Sequence, residues 1–305
     1  MVLMRGKRDW FGVIVGQNRV CHKGHNSAAG KRRRVMFDAL KNLFPGLGIS
    51  AAGGLSDTAL QSRWQRLEAA GRELELFVPA GSEAIAGVVL FLHGHGEVLL
   101  SGNPVFTRLF QQHRLVAVCP SGRRSWWLDV VCEEFDPVVT PQQWLVQSLV
   151  PWIEQRLEVQ PPRIALLGVS MGGQGVLQLA YRYALKFPVV AAISPAVDFH
   201  QLYGAGIPLD GMFPDAEAAR QATVVLNLHP LQWPRYQYFC CDPADVEWYD
   251  GAARLGMKLS SSGILHERDL LITAGGHTWS YFNRMAEPAI EHVVRGLAGV
   301  AASVQ

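Results

Sequence analysis

The chain has 305 residues, close to the limit of what one hydrophobic core fills, roughly 250–300 residues. With 49% hydrophobic and 18% charged residues, it is neither collagen-like nor mainly disordered. Net charge is only +2, but ten of the 28 Lys and Arg and just two of the 26 Asp and Glu fall in residues 1–50. The rest is therefore net acidic and carries no nucleic-acid footprint.

Residues 1–55 gather basic side chains, including Lys31-Arg32-Arg33-Arg34, and end in Gly46, Gly48, Gly53 and Gly54. They read as a poorly ordered N-terminal segment ahead of a folded domain over 56–305. Four consecutive cations are read as solvated rather than as an arm for nucleic acid or acidic lipid. The run after them is broken by Asp38, Lys41 and Asn42, so it does not read as a signal peptide, and Met36 offers an alternative start. No stretch reaches about 18 apolar residues, so no membrane span is expected. Five cysteines at irregular spacing, Cys21, Cys119, Cys132, Cys240 and Cys241, do not form a disulfide framework. They read as free thiols, which fits a reducing, cytoplasmic compartment.

Beyond residue 60 the pattern becomes regular. Residues 72–78 alternate apolar and polar up to Pro79, as a strand does. Residues 86–92 and 115–119 are continuous apolar runs, suited to strands buried on both faces. Thr140-Pro141-Gln142-Gln143 opens a helix, with Thr140 as cap, Pro141 at the first position and Gln143 closing a capping box. Leu145, Leu149, Trp152 and Ile153 share one face of it. Residues 164–167 are a short buried strand leading into Gly168-Val169-Ser170-Met171-Gly172-Gly173 and a helix to about Leu185. Strands follow at Val189–Ile193 and Tyr236–Cys240, a helix at 250–259, and a last strand at 270–273. Ile290, Val293, Val294 and Leu297 mark the apolar face of a final helix. Strands alternating with helices predict an α/β chain with a mainly parallel central sheet and helices on both faces.

The chemistry concentrates in four places. Gly168-Val169-Ser170-Met171-Gly172 sits between a buried strand and an amphipathic helix, the setting in which a G-x-S-x-G serine is exposed on a strained turn. A serine hydroxyl needs an adjacent base, and Gly275-Gly276-His277-Thr278-Trp279 follows the last expected strand. An acid is needed to hold the imidazole. Asp245 is preferred over Asp242, which abuts the strand, precedes Pro243 and is suited to shaping the turn. Backbone N–H groups of Met171 and His95 are placed to hold a developing oxyanion, His95 lying in His93-Gly94-His95-Gly96 after a buried strand. A metal site on His93 and His95 is the rival reading, but no third ligand stands nearby. Trp126, Trp127 and Trp279 are candidate substrate-binding residues, and residues 200–233, which lack periodicity, are a candidate cap.

Together these residues resemble the esterase D / S-formylglutathione hydrolase-like esterases of the α/β-hydrolase superfamily. The resemblance rests on His93-Gly94, Gly168-Val169-Ser170-Met171-Gly172-Gly173, Ser194-Pro195 and Gly275-Gly276-His277-Thr278-Trp279, over about residues 70–298. It implies an α/β-hydrolase fold and a Ser170–Asp245–His277 triad acting on small-molecule carboxylic or thio esters, with Met171 and His95 as oxyanion-hole amides. Neither cofactor nor metal is implied. Gln174 stands where S-formylglutathione hydrolases usually carry histidine, and Cys241-Asp242-Pro243-Ala244 stands where the family favours a glycine-containing turn. The same triad would also serve an acyltransferase or a peptidase, and a non-catalytic binding protein of this fold is the remaining alternative.

Overall fold

A computed structural model describes residues 56–229 and 231–303, so the expectation for residues 1–55 lies outside the described residues. The described chain opens with α1 (Asp57–Gln61) and a hairpin of β1 (Trp64–Ala69) and β2 (Arg72–Phe77). Ala70 and Gly71 both adopt positive φ, as a two-residue hairpin turn with the right-handed strand twist requires. Then come β3 (Gly87–Leu92), α2 (Pro104–Gln112) and β4 (Leu115–Pro120). Helix α3 (Pro141–Trp144) continues through a π turn at Leu145–Leu149 into α4 (Val150–Leu157). They are followed by β5 (Ile164–Val169), α5 (Met171–Arg182) and β6 (Val189–Ile193). Short α6 (Leu209–Met212) and α7 (Ala216–Gln221) precede β7 (Tyr236–Cys240), α8 (Tyr249–Ser261), β8 (Glu267–Asp269) and α9 (Trp279–Ser303).

The strands make one eight-stranded sheet in the order β1-β2-β4-β3-β5-β6-β7-β8. β1, β2 and β4 pair antiparallel; from β4 to β8 every pairing is parallel. Parallel strands buried on both faces need apolar side chains at odd and even positions alike, and β3 and β5 are buried throughout. Val88, Leu90 and Leu92 face the layer that contains α3, α4, α5 and α8, while Val89 and Phe91 face α2 and α9. In register, Leu92 lies opposite Gly168, Val169 opposite Ile193, and Ile193 opposite Cys240. The carboxyl ends of β3, β5, β6 and β7 thus align at one edge of the sheet, where ligands bind in open α/β sheets.

Local departures from the sequence expectations have identifiable causes. The Thr140 capping box forms, with Gln143 N–H donating to Thr140 Oγ1 at 3.1 Å. The helix it starts is not uniform: Pro151 has no N–H to donate, and the chain passes it through the π turn. Leu145, Leu149 and Ile153 are buried, whereas Trp152 is half-buried. Helix α5 stops at Arg182, short of Leu185, which is exposed.

The last strand is not at 270–273. It is β8, Glu267–Asp269, a charged three-residue edge strand with no apolar signature. Asp269 Oδ1 accepts the N–H groups of Leu271 and Ile272 at 3.0 and 3.2 Å, and this turn ends the ladder. Two further elements carry little sequence signal. β1 is half-exposed and weakly patterned. α2, although capped by Asn103 and started by Pro104, follows a stretch without clear periodicity.

Trp127, expected against substrate, belongs to the core. It is fully buried, its indole N–H donates to the His93 carbonyl at 3.1 Å, and a Cβ at Gly122 or Gly175 would overlap it. Trp127→Ala is expected to lower stability by about 3–5 kcal/mol, through lost burial and a residual cavity. Urea unfolding of the two proteins checks this, and an unchanged midpoint would contradict the packing role.

Candidate active site

Ser170 lies between β5 and α5, at the N-cap of α5, with φ 56° and ψ −122°, a strained conformation for a residue with a side chain. Its neighbours enforce it. A Cβ at Gly168 would overlap the Gly172 carbonyl, and one at Gly172 would overlap the Leu92 carbonyl, so the turn closes only with glycine at both. Ser170 N–H donates to the Ile193 carbonyl at 3.0 Å, and its carbonyl accepts from Gln174 and Ala196, each at 3.1 Å. The hydroxyl is lifted off the sheet edge at the N-terminus of a 12-residue helix, whose dipole favours negative charge there.

His277 reaches the serine from the opposite loop. Its Nε2 lies 2.8 Å from Ser170 Oγ and its Nδ1 lies 2.7 Å from Asp245 Oδ2. An ionised carboxylate only accepts, so Nδ1 carries the proton and Nε2 presents its lone pair to the hydroxyl. Phe282 packs edge-on against the imidazole, ring centroids 5.2 Å apart. Asp245 is 1% exposed. Its Oδ1 accepts the Trp248 N–H at 3.2 Å, and the Cys241 thiol donates to Oδ2 at 3.6 Å. Burial first, then the adjacent Asp245 charge, pushes that thiol well up, so it remains protonated and able to donate.

Asp242 has a different role. Its carboxylate accepts N–H groups from Ala274 and Gly276 at 2.7 and 2.9 Å, and from Ala244 at 2.7 Å. It therefore ties the acid turn to the Gly275-Gly276 loop, where both glycines stand at positive φ. Burial would raise this carboxyl. The donors, Ala274 first, then Ala244, Gly276 and the Thr273 side chain, outweigh it and hold the group below the usual carboxylate range.

The loop after β3 passes directly against the serine: a Cβ at Gly94 would lie 3.2 Å from Ser170 Cβ. His93 is fully buried, with Nδ1 donating to the Gly94 carbonyl at 2.7 Å and Nε2 accepting from Gly122 N–H at 2.9 Å. Both ring nitrogens are thus engaged, which leaves none for a metal. No group of three or more potential ligands stands together among the described residues.

A cleft of about 310 Å³ opens over Ser170 and His277. His95, Trp126 and Trp279 border it, and so do Val98, Leu202, Glu247, Trp248 and Phe282. Trp126 packs on His95 and Phe199. Of the candidate cap at 200–233, only Leu202 borders the cleft among the described residues. Ala222, Val224, Asn227, His229 and Gln232 instead line a separate cavity of about 360 Å³ that contains none of the triad candidates. Glu247 and Trp248 escaped the sequence reading although they follow Asp245 directly. Phe282 escaped it as an ordinary core position of α9.

Asp242→Asn replaces an acceptor-only carboxylate with an amide that leaves one buried N–H unpaired, at a cost of about 1–3 kcal/mol. Because the folded carboxyl lies below its unfolded value of about 3.9, its stabilisation is full above that pH and is lost as pH falls through the folded value. Stability measured by urea unfolding is expected to fall more steeply below about pH 4 in the parent chain than in Asp242→Asn. Equal slopes would remove this role.

Residues 133–261 match the family described as "Putative esterase". A search of curated proteins gives no match. Among solved structures, the chain is similar to a ferulic acid esterase at 17% identity, covering 76% of this chain and 97% of that one, with a TM-score of 0.61. It is likewise similar to an S-formylglutathione hydrolase from Agrobacterium tumefaciens at 18% identity, covering 77% and 94%, TM-score 0.61. A third likeness is to a fluorophosphonate-binding serine hydrolase of Staphylococcus aureus, FphF, at 14% identity, covering 73% and 92%, TM-score 0.62. The shared sheet architecture gives this chain the α/β-hydrolase fold, and the esterase match is confined to residues 133–261.

Proposed function

We propose that the chain hydrolyses carboxylic or thio esters through an acyl-serine intermediate formed on Ser170. The observation that carries this is the unbroken line of hydrogen bonds from Ser170 Oγ to His277 Nε2 and from His277 Nδ1 to Asp245. Ser170 Oγ attacks the ester carbonyl carbon as His277 Nε2 takes its proton. The N–H groups of Met171, first residue of α5, and of His95, which follows Gly94, hold the oxyanion. Asp245 keeps the imidazole in the required tautomer and stabilises the imidazolium. His277 then gives its proton to the leaving alcohol or thiol as the carbon–oxygen or carbon–sulfur bond breaks. A water, deprotonated by the same Nε2, attacks the acyl-serine and releases the acid, and the proton returns to Ser170.

Every proton in this cycle is carried by His277, and every developing charge is met by backbone N–H groups or Asp245, so the cycle calls for no cofactor. No helix among the described residues is long and apolar enough to cross a membrane. The four described cysteines are free and buried, and on that basis we assign the chain to the reducing cytoplasm.

Ser170→Ala is expected to fold normally and to lose about 10⁴-fold or more in kcat toward a short-chain ester. A fluorophosphonate probe is expected to label the parent protein at Ser170 and to leave the variant unlabelled. A folded Ser170→Ala protein with full esterase activity would refute the assignment.

A further inference from the structure

The cleft over Ser170 is apolar and aromatic in its walls but unbalanced in charge. Trp126, Trp248 and Phe282, all buried, and the half-buried Trp279 border it, and neither Lys nor Arg does so among the described residues. Apart from the histidines, its one ionisable lining group is Glu247. Nearby cations are already used: Arg123 pairs with Glu97 at 3.7 Å, and Arg124 pairs with Glu134 through two hydrogen bonds. Glu247 is exposed and has neither an ion pair nor a side-chain hydrogen bond among the described residues.

Its place in the chain explains why it faces the substrate space. Asp245 is fixed by the Trp248 N–H and by His277, and Glu247 lies between Asp245 and Trp248 in that turn. The turn that holds the triad acid therefore also delivers a free carboxylate and an indole to the same cleft. A free carboxylate beside aromatic faces attracts a cation by Coulomb attraction and by cation–π contact, and it repels an anion.

We propose that Glu247 sets the charge preference of the site, and that the preferred substrates are esters or thioesters bearing a cationic group, such as a quaternary ammonium, with neutral ones next and anionic ones last. This rests on the reading of Ser170 as the ester-cleaving nucleophile. A cationic substituent on the leaving group is drawn to the carboxylate while the acyl part lies on the tryptophans. A carboxylate or sulfonate at the same position meets Glu247 with no lining cation to offset the repulsion. The field of an exposed group is screened by salt, so the preference belongs to low ionic strength.

Three thioacetates of matched size test this: acetylthiocholine, its neutral 3,3-dimethylbutyl isostere, and a carboxypropyl analogue, with thiol release as the readout. In the parent protein at low salt, kcat/KM for the cationic ester over the anionic one is expected to be on the order of 10-fold or more, after dividing each value by the rate of hydroxide hydrolysis of the same ester. The ratio is expected to shrink toward one in 1 M salt, where the Debye length is about 3 Å. It should also approach one in Glu247→Gln and invert in Glu247→Lys. A ratio near one in the parent protein, or one that survives Glu247→Gln, overturns the proposal while leaving ester cleavage intact. Absence of turnover of the neutral isostere by the parent protein, or undiminished turnover in Ser170→Ala, overturns the ester reading and this inference with it.

Discussion

Ser170 is held in a backbone conformation that costs of order 1–3 kcal/mol for a residue with a side chain, and much of the neighbouring structure keeps it there. The turn is closed by Gly168 and Gly172, whose missing side chains let β5, α5 and the Leu92 carbonyl meet without overlap. It is pinned on the other side by Ile193 at the end of β6 and by Ala196 in the turn after it. What the strain achieves is position. The hydroxyl stands clear of the sheet at a helix N-terminus, while the loop at Gly94 runs against its Cβ. A flat strand end would bury the same serine among its neighbours.

The two acids after β7 show how a short turn divides work by hydrogen bonding. Asp242 accepts three backbone N–H groups and joins its own turn to the histidine loop. Asp245 accepts hydrogen bonds from the His277 Nδ1–H, the Trp248 N–H and the Cys241 thiol. Both carboxylates are buried, and burial without donors would be costly for either. The donors around each differ in kind. Backbone amides that fix a loop surround Asp242, and the His277 imidazole faces Asp245.

The loops after β3 and β4 are locked together behind the cleft. His93 accepts from Gly122, and Trp127 donates back to His93. Gln174 on α5 donates to the Trp126 carbonyl, so the helix that follows Ser170 also holds Trp126. Trp126 and Trp127 both stand at positive φ, and this network is what keeps two bulky residues there. Rigid walls of this kind fix the cleft's shape. Its charge is left to Glu247, a residue of the acid turn.

The sequence by itself determined the buried strands β3 to β7, most of the helices between them and the candidate site residues, because these depend on local signals. Continuous apolar runs mark strands buried on two faces. Glycines two residues either side of Ser170 mark a turn that tolerates no side chain, and Gly275-Gly276 before His277 mark a loop of positive φ. These requirements act over a few residues and remain visible in one dimension. Tertiary structure alone decided the rest. Which aspartate faces His277 depends on where two loops from different strands meet, and Asp242 and Asp245 differ only in what approaches them. Trp126 and Trp127 are both buried in one core layer, and only Trp126 also borders the cleft. The charged edge strand β8 and the free Glu247 carry no local mark either. One is a strand only because β7 lies beside it, and the other faces the cleft only because the acid turn folds against the histidine loop.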